Sequence, residues 1–154
     1  MSSFSVPGYQ LRRGSSLDRG NLVKFMERNW GELAPDHPRQ HLADTIDRYL
    51  SADTPLWWVQ SQGASETVAC LWLGWATDQD NGQVHPYLLL LYVSPEHRRR
   101  GIASALLEAA HDWAGQTGYR QISLQVLSHN QAAQLLYEKL GYQPQAILMR
   151  RLLC

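Results

Sequence analysis

Cysteine is almost absent from this sequence: there are two, Cys70 inside an apolar run and Cys154 at the last position. Two such unrelated positions make neither a disulfide framework nor a metal-ligand cluster. Reducing, cytoplasmic residence is the simplest expectation, with no metal required. Neither sign of charge is in excess, since Lys plus Arg and Asp plus Glu both number 14. That balance argues against non-specific nucleic-acid binding, which needs surplus cations to displace counterions. Long apolar runs are missing too. The longest, Tyr87 to Val93, is strand-sized, far short of the roughly 18 residues a membrane span needs. Met1 to Gly8 is polar with no apolar stretch, so no signal peptide is visible and no membrane is expected as a partner. No repeat, linker or low-complexity tract divides the chain. Residues 1–154 are therefore expected to form a single domain, and 44% apolar residues suffice for a core without staples.

Within that frame the periodicity alternates between strand and helix. Tyr9 to Arg13 reads as a strand. Ser15 and Ser16 offer N-caps for a helix with Leu22, Val23, Met26 and Trp30 on one face, broken by Gly31, Pro35 and Pro38. Leu42, Ile46, Tyr49 and Leu50 mark a second helix. Leu56 to Gln62, Val68 to Trp75 and Val84 to Val93 read as a three-strand antiparallel meander, with Gln62-Gly63 in one gap and Asp80-Asn81-Gly82 in the other. The uninterrupted Leu88 to Leu91 predicts a central strand covered on both faces. Trp57 and Trp58, adjacent in a strand, must point to opposite faces. A helix over Gly101 to about Ala114, a strand at Ile122, Leu124 and Val126, a helix over Gln131 to Leu140, and a last strand over Ala146 to Leu153 complete the order. The class is mixed α/β, a sheet flanked by helices.

The strongest chemical signal lies where the buried strand ends. Leu91-Tyr92-Val93-Ser94-Pro95 is followed by Glu96-His97, three arginines (Arg98, Arg99, Arg100), and a helix opening at Gly101-Ile102-Ala103-Ser104. The first turn of a helix carries amide N–H groups without intrahelical partners and the positive end of the macrodipole. Small residues there let a phosphate reach the backbone. The same run is also compatible with a plain solvated surface, but its place after a buried strand favours a ligand. It is neither a P-loop nor a Rossmann fingerprint, since both spacings are wrong.

Arg98-x-x-Gly101-x-Ala103 resembles the Arg/Gln-x-x-Gly-x-Gly/Ala signature of the GNAT N-acetyltransferases. Leu124-Gln125-Val126, Asn130-Gln131-Ala132-Ala133 and Leu136-Tyr137-Glu138-Lys139-Leu140-Gly141-Tyr142 are similar to that family's next motif. The resemblance implies the GNAT fold, with a central, mostly antiparallel mixed sheet and a cofactor slot between splayed parallel strands ending near Val93 and Leu127. It implies acetyl-CoA as cosubstrate, an amine acceptor, and direct attack on the thioester. By the same resemblance Leu91, Tyr92 and Val93 would pair with the pantetheine arm, with an N–H near Val93 polarising the thioester carbonyl. Arg98 to Ser104 would hold the pyrophosphate, and Asn130 and Ala133 would line the other side. Tyr137 would be the general acid; by spacing alone it is also an ordinary inward aromatic.

The general base is left open. Gln125 stands where the ribosomal-protein acetyltransferases of the family carry a Glu, and an amide takes up no proton. The candidates are His85, His129 and a water relay. Glu32, Asp36 and His37, read as a loop between the first two helices, are candidates for an acceptor wall. The acceptor is a small-molecule amine or a peptide, and family members are often homodimers. A rival reading is an acyl-CoA-binding sensor that no longer catalyses.

Overall fold

The computed structural model of the chain describes residues 4–63 and 66–154. Met1–Ser3 and positions 64–65, part of the gap after Gln62-Gly63, lie outside the described residues. Strands β1 (Tyr9–Arg13), β2 (Leu56–Ser61), β3 (Thr67–Thr77) and β4 (Val84–Val93) form an antiparallel sheet in the order β1-β2-β3-β4. Helices α1 (Arg19–Leu33) and α2 (His41–Tyr49) join β1 to β2; α3 (Ile102–Thr117) and α4 (Gln131–Lys139) follow β4.

Strand alternation sorts the sheet's side chains into two cores. Trp57, Val59, Leu71, Leu73 and Leu88 face α3, where they meet Ile102, Leu106, Leu107 and Ala110. Leu56, Trp58, Cys70, Trp72 and Leu90 face the other way, against Leu22, Phe25 and Met26 of α1 and Leu42 and Ile46 of α2. Trp57 and Trp58 thus sit on opposite faces as alternation requires, and helices cover both. Each fully buried Leu, Ile or Val contributes about 1.5–3 kcal/mol relative to an exposed one, so both layers hold the sheet.

One irregularity shapes β4. Trp72 pairs with Leu90 but Leu73 pairs with Leu88, so Leu89 is an extra residue on β4. Leu88 consequently points to the α3 side, while Leu89 and Leu90 both pack with the α1–α2 core. Gly74 makes room for it: a Cβ there would fall 2.6 Å from Leu89 Cδ1. A bulge of this kind bends the strand and leaves one residue out of the ladder.

The helix boundaries differ from the expected ones at glycine. Gly31 lies inside α1, which runs on to Leu33, because packing of Leu22, Phe25 and Met26 outweighs a cost of about 1 kcal/mol for an internal glycine. Ser15 caps a short 3₁₀ turn (Ser16–Asp18) ahead of α1, reciprocated by Asp18. Gly115 does not end α3; Gly118 does, at φ +101°.

Two expected strands are not formed. Of Ile122 to Val126, only Ser123 joins the sheet, through a single parallel bridge to Tyr87. Leu88 N–H donates to the Ser123 carbonyl at 2.9 Å and Ser123 N–H to that of Pro86 at 3.1 Å. The parallel part of the mixed sheet is thus reduced to one contact, and β4 is central only there. Ala146 to Leu153 is exposed throughout and pairs with no described residue. Strand propensity alone does not hold a segment that finds no neighbouring edge.

Candidate active site

The end of β4 and the start of α3 are built as one turn. Pro95–His97 forms a 3₁₀ turn after Ser94, whose N–H donates to the Val68 carbonyl at 2.8 Å. Arg99 (φ +63°) and Gly101 (φ +83°) both adopt the left-handed region. Ala105 N–H donates to the Gly101 carbonyl at 3.0 Å, which starts the helix. The amides of Ile102, Ala103 and Ser104 therefore lack intrahelical acceptors and concentrate partial positive charge at one point. A Cβ on Gly101 would meet nothing within 4 Å, so the backbone there stands open.

The three arginines are not equivalent. Arg98 donates through Nε to the Val93 carbonyl at 2.9 Å and through Nη2 to Glu32 Oε1 at 2.6 Å. Its guanidinium also lies 5.5 Å over the Tyr92 ring. Arg100 donates to the Tyr9 hydroxyl at 3.0 Å, and that hydroxyl lies 2.7 Å from His97 Nδ1. Arg99 makes no hydrogen bond or ion pair with a described residue. Arg98 and Arg100 thus brace the turn, leaving Arg99 as the cation most available to an anion. Tyr9 carried no signal in the sequence as a member of this turn, since it comes from the far edge strand.

Glu32 corrects the expected acceptor wall. It belongs to the last turn of α1, and it is committed to Arg98. Burial first, and then Glu32, push the Tyr92 phenol up to about 12. Asp36 and His37 do lie in the exposed loop after α1.

Asn130 is the N-cap of α4, its Oδ1 accepting the Ala133 N–H at 3.3 Å. Two turns on, Tyr137 is partly buried beside Leu136 and Leu140 on the α3 side of the sheet. Its ring packs edge-on against Tyr142 at 5.7 Å, and Tyr142 OH lies 2.7 Å from His111 Nε2. Burial pushes the Tyr137 phenol up to about 12. It is therefore protonated throughout the neutral range.

Past the Tyr87–Ser123 bridge, no backbone hydrogen bond joins Leu89–Val93 to Leu124–Leu127 among the described residues. His85 is buried at the joined end, 7% exposed, with Nε2 2.7 Å from Ser123 Oγ. Its Nδ1 is buried and has no partner among described residues. His129 is exposed in the turn before α4, and Gln125 is exposed in the segment after the Ser123 bridge. The described residues contain no group of three or more His, Cys, Asp or Glu that could hold a metal. Among them, no helix is long and apolar enough to cross a membrane.

Residues 22–142 match the model of the acetyltransferase (GNAT) family. N-acetyltransferase 8F1 of Rattus norvegicus is 29% identical over 79% of this chain; the chain spans 55% of that relative's length. The fold is similar to a putative acetyl transferase from Pyrococcus furiosus, with TM-score 0.78, 22% identity and coverage of 94% of this chain and 99% of that one. It is also similar to the aminoglycoside N-acetyltransferase AAC(6')-Iy, a structure in complex with CoA, with TM-score 0.70, 20% identity and 95% of each chain covered.

Proposed function

The chain belongs to the GNAT acetyltransferase family, and from that premise we propose that it transfers acetyl from acetyl-CoA to a primary amine. The observation that carries the reading is the turn at Arg99 and Gly101, which presents the open first-turn amides of Ile102, Ala103 and Ser104 at the end of β4. A pyrophosphate suits that arrangement in both charge and access. Arg99 adds a full charge, and Arg98 and Arg100 hold the turn in shape. The pantetheine arm then runs in the gap beside Leu91, Tyr92 and Val93, with Asn130 and Ala133 opposite.

Beside the N–H near Val93, the bulge offers a second place to polarise the thioester. Leu89 stands outside the β3–β4 register, and its N–H is the donor proposed for the thioester carbonyl. One such donor aimed at a developing oxyanion is commonly worth about 3–4 kcal/mol. Attack is by a neutral amine through a tetrahedral intermediate. Tyr137 then faces the departing sulfur. With its pKa raised to about 12, the phenol is a weaker acid than a thiol of about 8.5, so full proton transfer to a free thiolate is uphill. Its contribution is a hydrogen bond to the sulfur as the C–S bond breaks.

For the amine's proton, His85 is the better placed of the two histidines, being buried and bonded to Ser123 across the two segments. Leu89 lies four residues further, about 13 Å along the strand, so His85 acts through Ser123 and water rather than directly. His129, exposed and without a side-chain partner among the described residues, has no such link. The acceptor is an amine of a small molecule or a peptide; the aminoglycoside enzyme named above supports the former. The domain is read as the whole of 1–154 and as cytoplasmic.

The test is calorimetric titration with acetyl-CoA alongside thiol release against a panel of aminoglycosides, polyamines, amino acids and peptides. Binding with release on one acceptor class is expected. Tight binding without release across the panel favours the non-catalytic sensor, for which the carboxylate-free Gln125 speaks. No binding overturns the reading.

A further inference from the structure

Tyr137 and Tyr142 stand in a fixed relation at the end of α4. Gly141 adopts φ +95°. Its N–H donates to the Glu138 carbonyl at 3.1 Å, and the Tyr142 N–H donates to the Tyr137 carbonyl at 2.9 Å. These two bonds are the helix ending that a left-handed glycine permits, and they return the second residue past the helix onto its last turn. Tyr142 is therefore joined to Tyr137 twice, by that backbone bond and by the edge-on contact of their rings.

The far end of Tyr142 belongs to another helix. Its hydroxyl lies 2.7 Å from Nε2 of His111 on α3, and the two rings are 5.4 Å apart. Burial first, then Tyr137 and Glu108, push the Tyr142 phenol above its ordinary range, so it keeps a proton to donate to the imidazole nitrogen. The half-buried His111 side chain makes no other hydrogen bond with a described residue. α3 is also the helix whose first-turn amides stand open at Ile102 to Ser104. His111 follows Ile102 by nine residues, about 13.5 Å along the axis at a rise of about 1.5 Å each. One helix thus carries the proposed anion site at its start and the anchor of Tyr142 further along.

We propose that His111 is a positioning residue for acetyl transfer: through the Tyr142 hydroxyl it ties the Tyr137 ring to α3, and so to the turn that opens that helix. The inference rests on the reading of Tyr137 as the donor to the departing sulfur. Such a donor loses its effect when displaced by about 1 Å. α4 has no fully buried residue, so apolar packing alone holds Tyr137 loosely. His111 supplies the missing constraint without touching the substrate.

Tyr142→Phe is the first test, because it keeps the ring and its contact with Tyr137 and removes only the oxygen that meets His111. Thiol release from saturating acetyl-CoA is followed with whichever amine of the panel above turns over fastest. A fall in kcat of about three- to tenfold is expected, with acetyl-CoA affinity by calorimetry unchanged. His111→Ala is expected to match it. His111→Gln, whose amide nitrogen falls near the place of Nε2, is expected to recover most of the loss. In a Tyr137→Phe background, Tyr142→Phe is expected to cost nothing further, since groups acting as a unit are non-additive. An unchanged kcat in Tyr142→Phe, beside an impaired Tyr137→Phe, overturns this inference alone. So does a full further loss in the Tyr137→Phe background, which is what a merely structural role gives. A Tyr137→Phe variant as fast as wild type overturns the reading of Tyr137, and this inference with it.

Discussion

Arg98 donates from Nε to the carbonyl oxygen of Val93 at 2.9 Å, fastening the last residue of β4 to the turn that opens α3. The same guanidinium holds Glu32 at the end of α1. Three elements that are far apart in sequence meet at one planar cation, whose fork of donors makes such a junction possible.

Replacing Arg98 by Met keeps an unbranched side chain and removes the fork, with its place over the Tyr92 ring. The Glu32 pair is about 40% exposed on both sides, and exposed pairs are worth about 0–1 kcal/mol. The variant is therefore expected to lose no more than about 2 kcal/mol in urea unfolding, counting the bond to Val93. Acetyl-CoA affinity, in contrast, should fall several-fold in calorimetry because the turn is no longer braced, and Arg98→Lys should not restore it. Unchanged affinity would detach Arg98 from the cofactor site.

Gly101→Ala addresses the opening of α3 itself. Nothing lies within 4 Å of the added methyl, so packing is no obstacle. The cost comes from φ +83°, about 1–2 kcal/mol for a residue with a Cβ. A modest fall in melting temperature is expected. Alongside it, acetyl-CoA binding should weaken by tenfold or more, because the methyl sits where the pyrophosphate approaches. Equal losses in stability and none in affinity would place the anion elsewhere.

Most of the fold was legible because local pattern and tertiary packing agree in it. β1 and β4 have the boundaries the alternation predicts, and Trp57 and Trp58 divide between the two cores as adjacent strand residues must. The turn at Gly101 was legible for a similar reason: strand, proline and small residues are all local signals. What the sequence hid is non-local. Tyr9 reaches Arg100 and His97 across the sheet, and Glu32 reaches Arg98 from α1, and no spacing announces either. The bulge at Leu89 is invisible in an unbroken run of leucines, because it is a property of register against β3 rather than of composition. Ala146 to Leu153 has the composition of a strand, but composition does not say where its edge lies.

His85 and Ser123 form a pair whose role separates by coupling. Ser123→Ala and His85→Gln are each expected to lower kcat with little change in KM for acetyl-CoA. If they act in one proton path, the double variant should lose scarcely more than the worse single, since groups acting as a unit are non-additive. Multiplicative losses would show two independent, structural effects. His129→Ala, at an exposed position, is expected to leave the rate and its pH dependence unchanged.

Tyr137→Phe removes a single oxygen from a partly buried ring and keeps the packing against Tyr142. Folding should be essentially untouched, and acetyl-CoA binding nearly so. Thiol release should fall by about 10²-fold or more, the range for losing a donor to a reacting group. The pH dependence gives the sharper reading. Burial raises the phenol to about 12, so it is protonated below that value and its contribution is lost only as pH rises through it. Between about pH 6 and 9 it does not titrate, and any rise in rate there comes from the amine and its base. Wild type and variant are therefore expected to trace parallel profiles with a constant ratio across that window. A ratio that shrinks toward high pH would mean that the phenol ionises within the window and that its surroundings in the loaded site are far more polar than its burial implies. A ratio near one throughout would remove Tyr137 from the chemistry and leave it as the inward-facing helix aromatic that its spacing alone describes.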